Sequence, residues 1–165
     1  MKDLYLIGGP MGVGKTAVCQ YLKETVPNSV FLDGDWCWDA HPFQVTEETK
    51  AMVLDNICHI LKNFIHCSAY DVVIFCWVMH QQEIIDHILA ELPQDRLRVK
   101  AVSLICDSET LQQRLKGDVL QGIRTEDVIQ RSLDRLPMYE ELNTKKLDTS
   151  GKIIEEIVKE LIALP

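Results

Sequence analysis

Gly9-Pro10-Met11-Gly12-Val13-Gly14-Lys15-Thr16 fits the pattern G-x-x-x-x-G-K-[ST] without a gap. In such a loop the backbone N–H groups point inward and cradle phosphate oxygens, and the helix that follows adds its positive N-terminus. The lysine of the pattern, Lys15, reaches the outer phosphates, and the Thr16 hydroxyl is suited to Mg²⁺. Context supports this over a ligand-free glycine turn. Leu4-Tyr5-Leu6-Ile7 is a short apolar run that reads as a buried strand. Ala17 to Leu22 places apolar residues at 18, 21 and 22, a helical spacing. Strand, loop and helix is the arrangement the motif requires.

Working outward, strand-like runs alternate with helical patterns to the end of the chain. Strands are predicted at 29–32, 71–78, 99–106 and 145–147. The run DVVIFCWV at 71–78 is almost continuously apolar, as a central parallel strand should be. Helices are predicted at 46–66, 80–92, 108–116, 125–142 and 151–164. The first of these carries Val53, Ile57, Leu61 and Phe64 on one face, with Thr46 as its cap. This alternation predicts a single α/β domain over 1–165, a doubly wound parallel sheet with helices on both faces.

The chain has 165 residues, 47% hydrophobic and 25% charged, with a net charge of −8. That is enough for one domain with a sizeable core. The acidic balance argues against nucleic-acid binding, which needs a basic surface. The six cysteines form no C-x-x-C pair and no zinc spacing, and Cys19, Cys58, Cys76 and Cys106 read as small core residues. Free thiols, no membrane-length apolar run and a first strand that begins almost at Met1 predict a cytoplasmic protein.

Strand two ends in Leu32-Asp33-Gly34-Asp35. Ligands of open α/β sheets bind at the carboxyl ends of strands, so two carboxylates there have clear uses. One can hold Mg²⁺, directly or through water, and the other can accept a proton from an attacking hydroxyl. The plainer alternative is an Asp-Gly turn. Trp36 and Trp38 either wall an acceptor pocket or pack under helix 46–66, and His41 is either a substrate contact or simply exposed. Four of the six arginines, Arg114, Arg124, Arg131 and Arg135, lie in the second half after strand four. Guanidinium groups suit the charge that gathers on a migrating phosphoryl group. Arg114 and Arg124 bracket Gly117 and Gly122, which flank a short flexible flap at Asp118–Gln121. Arg131 with Asp127 also fits an ordinary i,i+4 ion pair.

These motifs resemble the small P-loop kinases, a group that includes adenylate, shikimate and gluconate kinases and the chloramphenicol phosphotransferases. The order of elements is similar over nearly the whole chain. The specific likeness lies in GGPMGVGKT at 8–16, in Asp33-Gly34-Asp35, in Arg124-Thr-Glu-Asp127 followed by Arg135-Leu-Pro-Met-Tyr139, and in Asp148-Thr149-Ser150-Gly151. The resemblance implies a five-stranded sheet of order 2-3-1-4-5 and a short lid at 115–124. It makes Thr16 and Asp33 the Mg²⁺ side and Asp35 the base. It sets Arg124 and Arg135 on the transferring phosphates, with Ser150 and Gly151 beside the adenine. Arg114 joins Gly9–Thr16 in the nucleotide site, and Trp36, Trp38, Trp77 and the region 36–66 shape the acceptor pocket.

The expected activity is ATP- and Mg²⁺-dependent transfer of the γ-phosphate to a hydroxyl of a small molecule, by a monomer or homodimer without nucleic-acid or membrane partners. One alternative is a nucleoside or nucleotide kinase. The arginine-bearing segment that adenylate kinases carry after strand three is replaced here by Phe75-Cys-Trp-Val-Met-His80. Another alternative is a nucleotide-dependent switch or ATPase with no small acceptor. The chain has no Asn-Lys-x-Asp base motif of the kind that GTP switches carry.

Overall fold

The computed structural model describes all of Met1–Pro165. Five strands, β1 (Lys2–Gly8), β2 (Ser29–Asp33), β3 (Val72–Cys76), β4 (Leu97–Ile105) and β5 (Lys145–Asp148), form one parallel sheet in the order β2-β3-β1-β4-β5. Six helices flank it: α1 (Lys15–Thr25), α2 (Glu47–His66), α3 (Gln82–Glu91), α4 (Ser108–Leu120), α5 (Asp127–Arg135) and α6 (Ile154–Ile162).

Alternation along β1 divides the core. Tyr5 and Ile7 face a cluster with Val18, Cys19 and Leu22 of α1, Leu111 and Leu115 of α4, Val128 of α5 and Ile157, Val158 and Leu161 of α6. Leu4 and Leu6 face the opposite cluster, with Val53, Ile57, Leu61 and Ile65 of α2 and Ile85 and Ile88 of α3. Burying each such aliphatic side chain contributes about 1.5–3 kcal/mol. That drive selects the periodicities seen in the sequence and fastens both helical layers to the sheet. Cys19, Cys58, Cys76 and Cys106 are buried free thiols, as their apolar surroundings predict.

The parallel register sets Ile7 and Asp33 each opposite Cys76, and Gly8 opposite Ser103. The carboxyl ends of the strands therefore finish level, and the loop at 9–16 and the turn at 33–37 emerge side by side.

Several boundaries differ from the predicted ones. The continuous run at 71–78 is strand only over Val72–Cys76. Beyond it Trp77 and Val78 leave the ladder while still bonded to its neighbours, Trp77 N to Ile7 O (3.2 Å) and Gly9 N to Val78 O (3.4 Å). The strand after α3 begins earlier than predicted, at Leu97, and α3 and α6 are shorter than the stretches at 80–92 and 151–164. The predicted helix at 125–142 is two pieces. Pro137 has no N–H to continue the ladder, and Leu136–Glu141 tightens into a 3-10 helix. The largest difference concerns the flap. Helix α4 does not stop at 116 but runs through Gly117 to Leu120, so Asp118–Leu120 is helix and only the stretch from Gln121 to Arg124 is turn. A solvent-facing glycine costs about 1 kcal/mol in a helix. The Asp107 cap, which accepts from Thr110 N at 2.7 Å, and buried Leu111 and Leu115 outweigh it.

Candidate active site

The loop at 9–16 owes its shape to glycine. Gly12 has φ +84°, and a Cβ there would lie 2.7 Å from Leu115 Cδ2, so α4 packs directly on the loop. Gly12→Ala should therefore lower stability by about 2 kcal/mol or more, from backbone strain plus overpacking. Urea unfolding monitored by tryptophan fluorescence measures this, and an unshifted midpoint would show that the loop relaxes freely. Gly14 stands at the N-cap of α1 without a side-chain cap, and the first turn has no acidic residue. The leading N–H groups of α1 are thus left for an anion.

That helix end opens on a cleft of about 500 Å³. Met11, Gly12, Gly14, Lys15 and Thr16 line one side, Asp33 and Asp35 a second, and Arg114, Gly117, Asp118 and Arg124 a third. Asp33 is buried, and both of its oxygens are used: Oδ2 accepts from Thr16 Oγ1 (2.7 Å) and Oδ1 from Asp35 N (3.0 Å). The second bond caps the 3-10 turn Gly34–Cys37 and fixes where Asp35 sits. A hydroxyl and a carboxylate in contact beside a phosphate loop form a hard-oxygen donor set. It is too small to cage Mg²⁺ alone but fits an ion that keeps waters and phosphate oxygens.

Lys15 folds back on its own loop, donating from Nζ to Gly9 O (2.8 Å) and Pro10 O (3.0 Å). Enclosure of the ammonium pulls its pKa below the ordinary lysine value, while Asp35 and Asp33 push the other way. Asp35 opens to solvent on one side. The protein around its carboxyl nonetheless raises its pKa above the usual carboxylate range, and neighbouring Asp33 raises it further. Lys15, the nearby Trp77 indole and Arg124 act against this rise. A carboxylate with raised basicity beside a phosphate site is suited to take a hydroxyl proton.

Arg114 donates from Nη1 to Val13 O (3.0 Å) and lies 3.5 Å from Thr149 Oγ1, so it braces the loop as well as lining the cleft. Arg124 pairs with Asp118 (Nε to Oδ2, 3.0 Å). Arg131 makes the plain i,i+4 pair with Asp127 at 3.6 Å on the surface.

The remaining expected residues fall elsewhere. Arg135 is not among the cleft-lining groups; it lies beside His80, whose pKa burial and Arg135 both lower. One turn on, Tyr139 donates to Val78 O at 2.6 Å, which ties this segment to the end of β3 and draws Arg135 toward it. Ser150 accepts from Asp107 N (3.0 Å) and Gly151 takes φ +67°; neither lines the cleft, and they serve the junction of α4 with the loop after β5. None of the three tryptophans lines it either. Trp36 is 56% exposed and sits edge-on to Phe31. Trp38 packs on the α2 side of the core and against Phe43 (4.4 Å between ring centroids), the packing alternative read from the sequence. Trp77 lies against Gly34, where any Cβ would meet its ring at 2.5 Å, so Gly34 is needed for that approach.

Asp118 had no assigned role in the sequence, because only the fold turns the last turn of α4 toward Gly12 and Lys15. Its spacing of four from Arg114 was the one available signal.

A family model described as AAA domain matches residues 6–131. The chain belongs to the AAA-domain family. No curated protein matches it in sequence. Solved structures align along its whole length. A gluconokinase from Sinorhizobium meliloti 1021 is 20% identical over 98% of this chain and 90% of that one, with a TM-score of 0.70. The tunicamycin resistance protein of Deinococcus radiodurans is 20% identical over 100% and 98%, with a TM-score of 0.74. Shikimate kinase from Acinetobacter baumannii, solved with shikimate, is 22% identical over 98% and 91%, with a TM-score of 0.61. At these identities the likeness establishes the fold. This AAA-domain chain has the architecture of the small P-loop kinases, with the strand order that the resemblance implies. No helix is long and apolar enough to cross a membrane.

Proposed function

We propose that this protein is an ATP-dependent kinase that moves the γ-phosphate to a hydroxyl of a small molecule. The observation that carries the reading is the meeting of Lys15, Thr16, Asp33, Asp35 and Arg124 around one cleft at the N-terminus of α1. Each has a use in phosphoryl transfer, and a site that only held phosphate would not need Asp35. Loop amides 12–16 bind the outer phosphates, and Lys15 exchanges its two carbonyl partners for phosphate oxygens. Thr16 and Asp33 would hold Mg²⁺, which would supply neutralisation of phosphate charge. Asp35, fixed through Asp33, accepts the proton of the attacking hydroxyl. Arg124 stabilises charge on the migrating group.

The acceptor enters on the side of Asp35 and Trp77. A nucleoside or nucleotide acceptor is the second reading. Residues 75–80 offer it no arginine, while Arg135 lies beside His80. ATP consumption measured across nucleosides, nucleotides, sugars, and aminoglycoside-like and phenicol antibiotics separates the two. Turnover that no acceptor stimulates would instead favour an ATPase.

A further inference from the structure

The cleft holds three cations, and all three already have partners. Lys15 is engaged by two loop carbonyls and Arg114 by the Val13 carbonyl. Arg124 alone is held by a charge, Asp118, with both side chains about 30% exposed. Helix stability does not explain Asp118. It stands near the C-terminal end of α4, where the helix dipole disfavours a negative charge, and the last turn of α4 carries no basic residue. An anion lining a phosphate cleft also works against the ligand. The local geometry allows an exchange of partners. Ile123 N donates to Asp118 O (2.9 Å) and Gly122 takes φ +73°, which folds Asp118 and Arg124 onto one tight turn.

We propose that Asp118 competes with the nucleotide for Arg124, holding the guanidinium in the empty cleft and surrendering it when a metal-bound triphosphate arrives. With Asp33, Asp35 and Asp118 set against Lys15, Arg114 and Arg124, the lining charges sum to zero. Parting the Arg124–Asp118 pair therefore frees one guanidinium for the triphosphate, in addition to the loop amides and Lys15. Asp118 is a positioning residue in this scheme, acting through Arg124. The inference rests on the nucleotide reading of the cleft.

Calorimetric titration of Mg·ATP into the wild type, Asp118→Asn, Asp118→Glu, Arg124→Ala and the double variant Asp118→Asn/Arg124→Ala tests it. Asp118→Asn should bind about three- to fivefold tighter, the range expected from releasing a partly exposed ion pair. Asp118→Glu keeps the pair and should stay near wild type. Arg124→Ala should bind more weakly, and on that background the gain from Asp118→Asn should shrink. Unchanged or weaker binding by Asp118→Asn overturns the proposal and makes Asp118 a support for Arg124. A gain of full size in the Arg124→Ala background also overturns it, since the effect would then be simple repulsion between Asp118 and phosphate. A wild type that binds Mg·ATP while Asp118→Asn shows no gain removes this inference alone. A wild type that binds no Mg·ATP removes the nucleotide reading and this inference together.

Discussion

Lys15→Ala should abolish phosphoryl transfer while leaving the protein folded. In the structure the ammonium donates hydrogen bonds to Gly9 O and Pro10 O, carbonyls of its own loop, so its loss breaks no hydrogen bond between elements. Enclosure already lowers the Lys15 pKa, which means the folded protein holds this charge at a cost. With triphosphate bound, the same ammonium meets the charge that develops on the outer phosphates. A donor aimed at such charge in a sheltered site is worth on the order of 10²–10³-fold in kcat. Loss of turnover in a radiolabelled transfer assay, with an unaltered circular dichroism spectrum, is the expected pair of results. Retained turnover would move the phosphate site away from residues 9–16.

Asp35→Asn should cut transfer by about 10²–10⁴-fold, the usual contribution of a general base. The amide keeps the shape of the side chain and the backbone bond from Asp35 N to Asp33, so the loss would report on the proton. The pH dependence carries further information. The surrounding protein and Asp33 raise the Asp35 pKa, so wild-type activity should fall on acidification through a pKa above the ordinary carboxylate value of about 3.9. The sign for stability is opposite. Between its unfolded and folded pKa values Asp35 binds its proton more tightly in the folded state. Its contribution to stability therefore declines as pH rises through that window and stays unfavourable above it. Asp35→Asn should then show a slightly higher Tm at neutral pH together with its lost activity. Asp33→Asn is the contrasting variant. Its amide keeps one oxygen to accept from Asp35 N and cap the 33–37 turn but loses the charge and the second acceptor that faces Thr16, so Mg²⁺ dependence should suffer most. If Asp33→Asn removed all activity and Asp35→Asn none, the two carboxylates would exchange roles.

Local pattern was enough for the elements that bury their own side chains. The apolar run at 4–7, the 3.6-residue stripe on α2 and the Thr46 cap reappear as read, since each is set by the energetics of its own segment. Phosphate loops were legible for a related reason: the conformation of residues 9–16 needs glycine at particular positions, and that need is written in the sequence itself. Thr16, Asp33 and Asp35 followed because the carboxyl ends of β1 and β2 must finish level in a parallel sheet.

Residues whose place depends on two distant segments were not legible in this way. Arg114 and Arg135 are both expected at the phosphate site, on different grounds, yet one braces Val13 and the other stands beside His80 near the end of β3. The difference arises where Pro137 breaks the helix and Tyr139 ties the following turn to Val78. Helix α4 continues through Gly117 because burial of Leu111 and Leu115 outweighs the propensity cost of a glycine, which by local pattern alone marks a stop. Sequence by itself thus determined that this chain forms an α/β sheet with a glycine loop of phosphate-binding pattern at 9–16 and two carboxylates next to it. Only the tertiary structure decided which arginines reach the cleft and that Asp118 holds one of them, because those pairings are made across a core whose packing no single segment encodes.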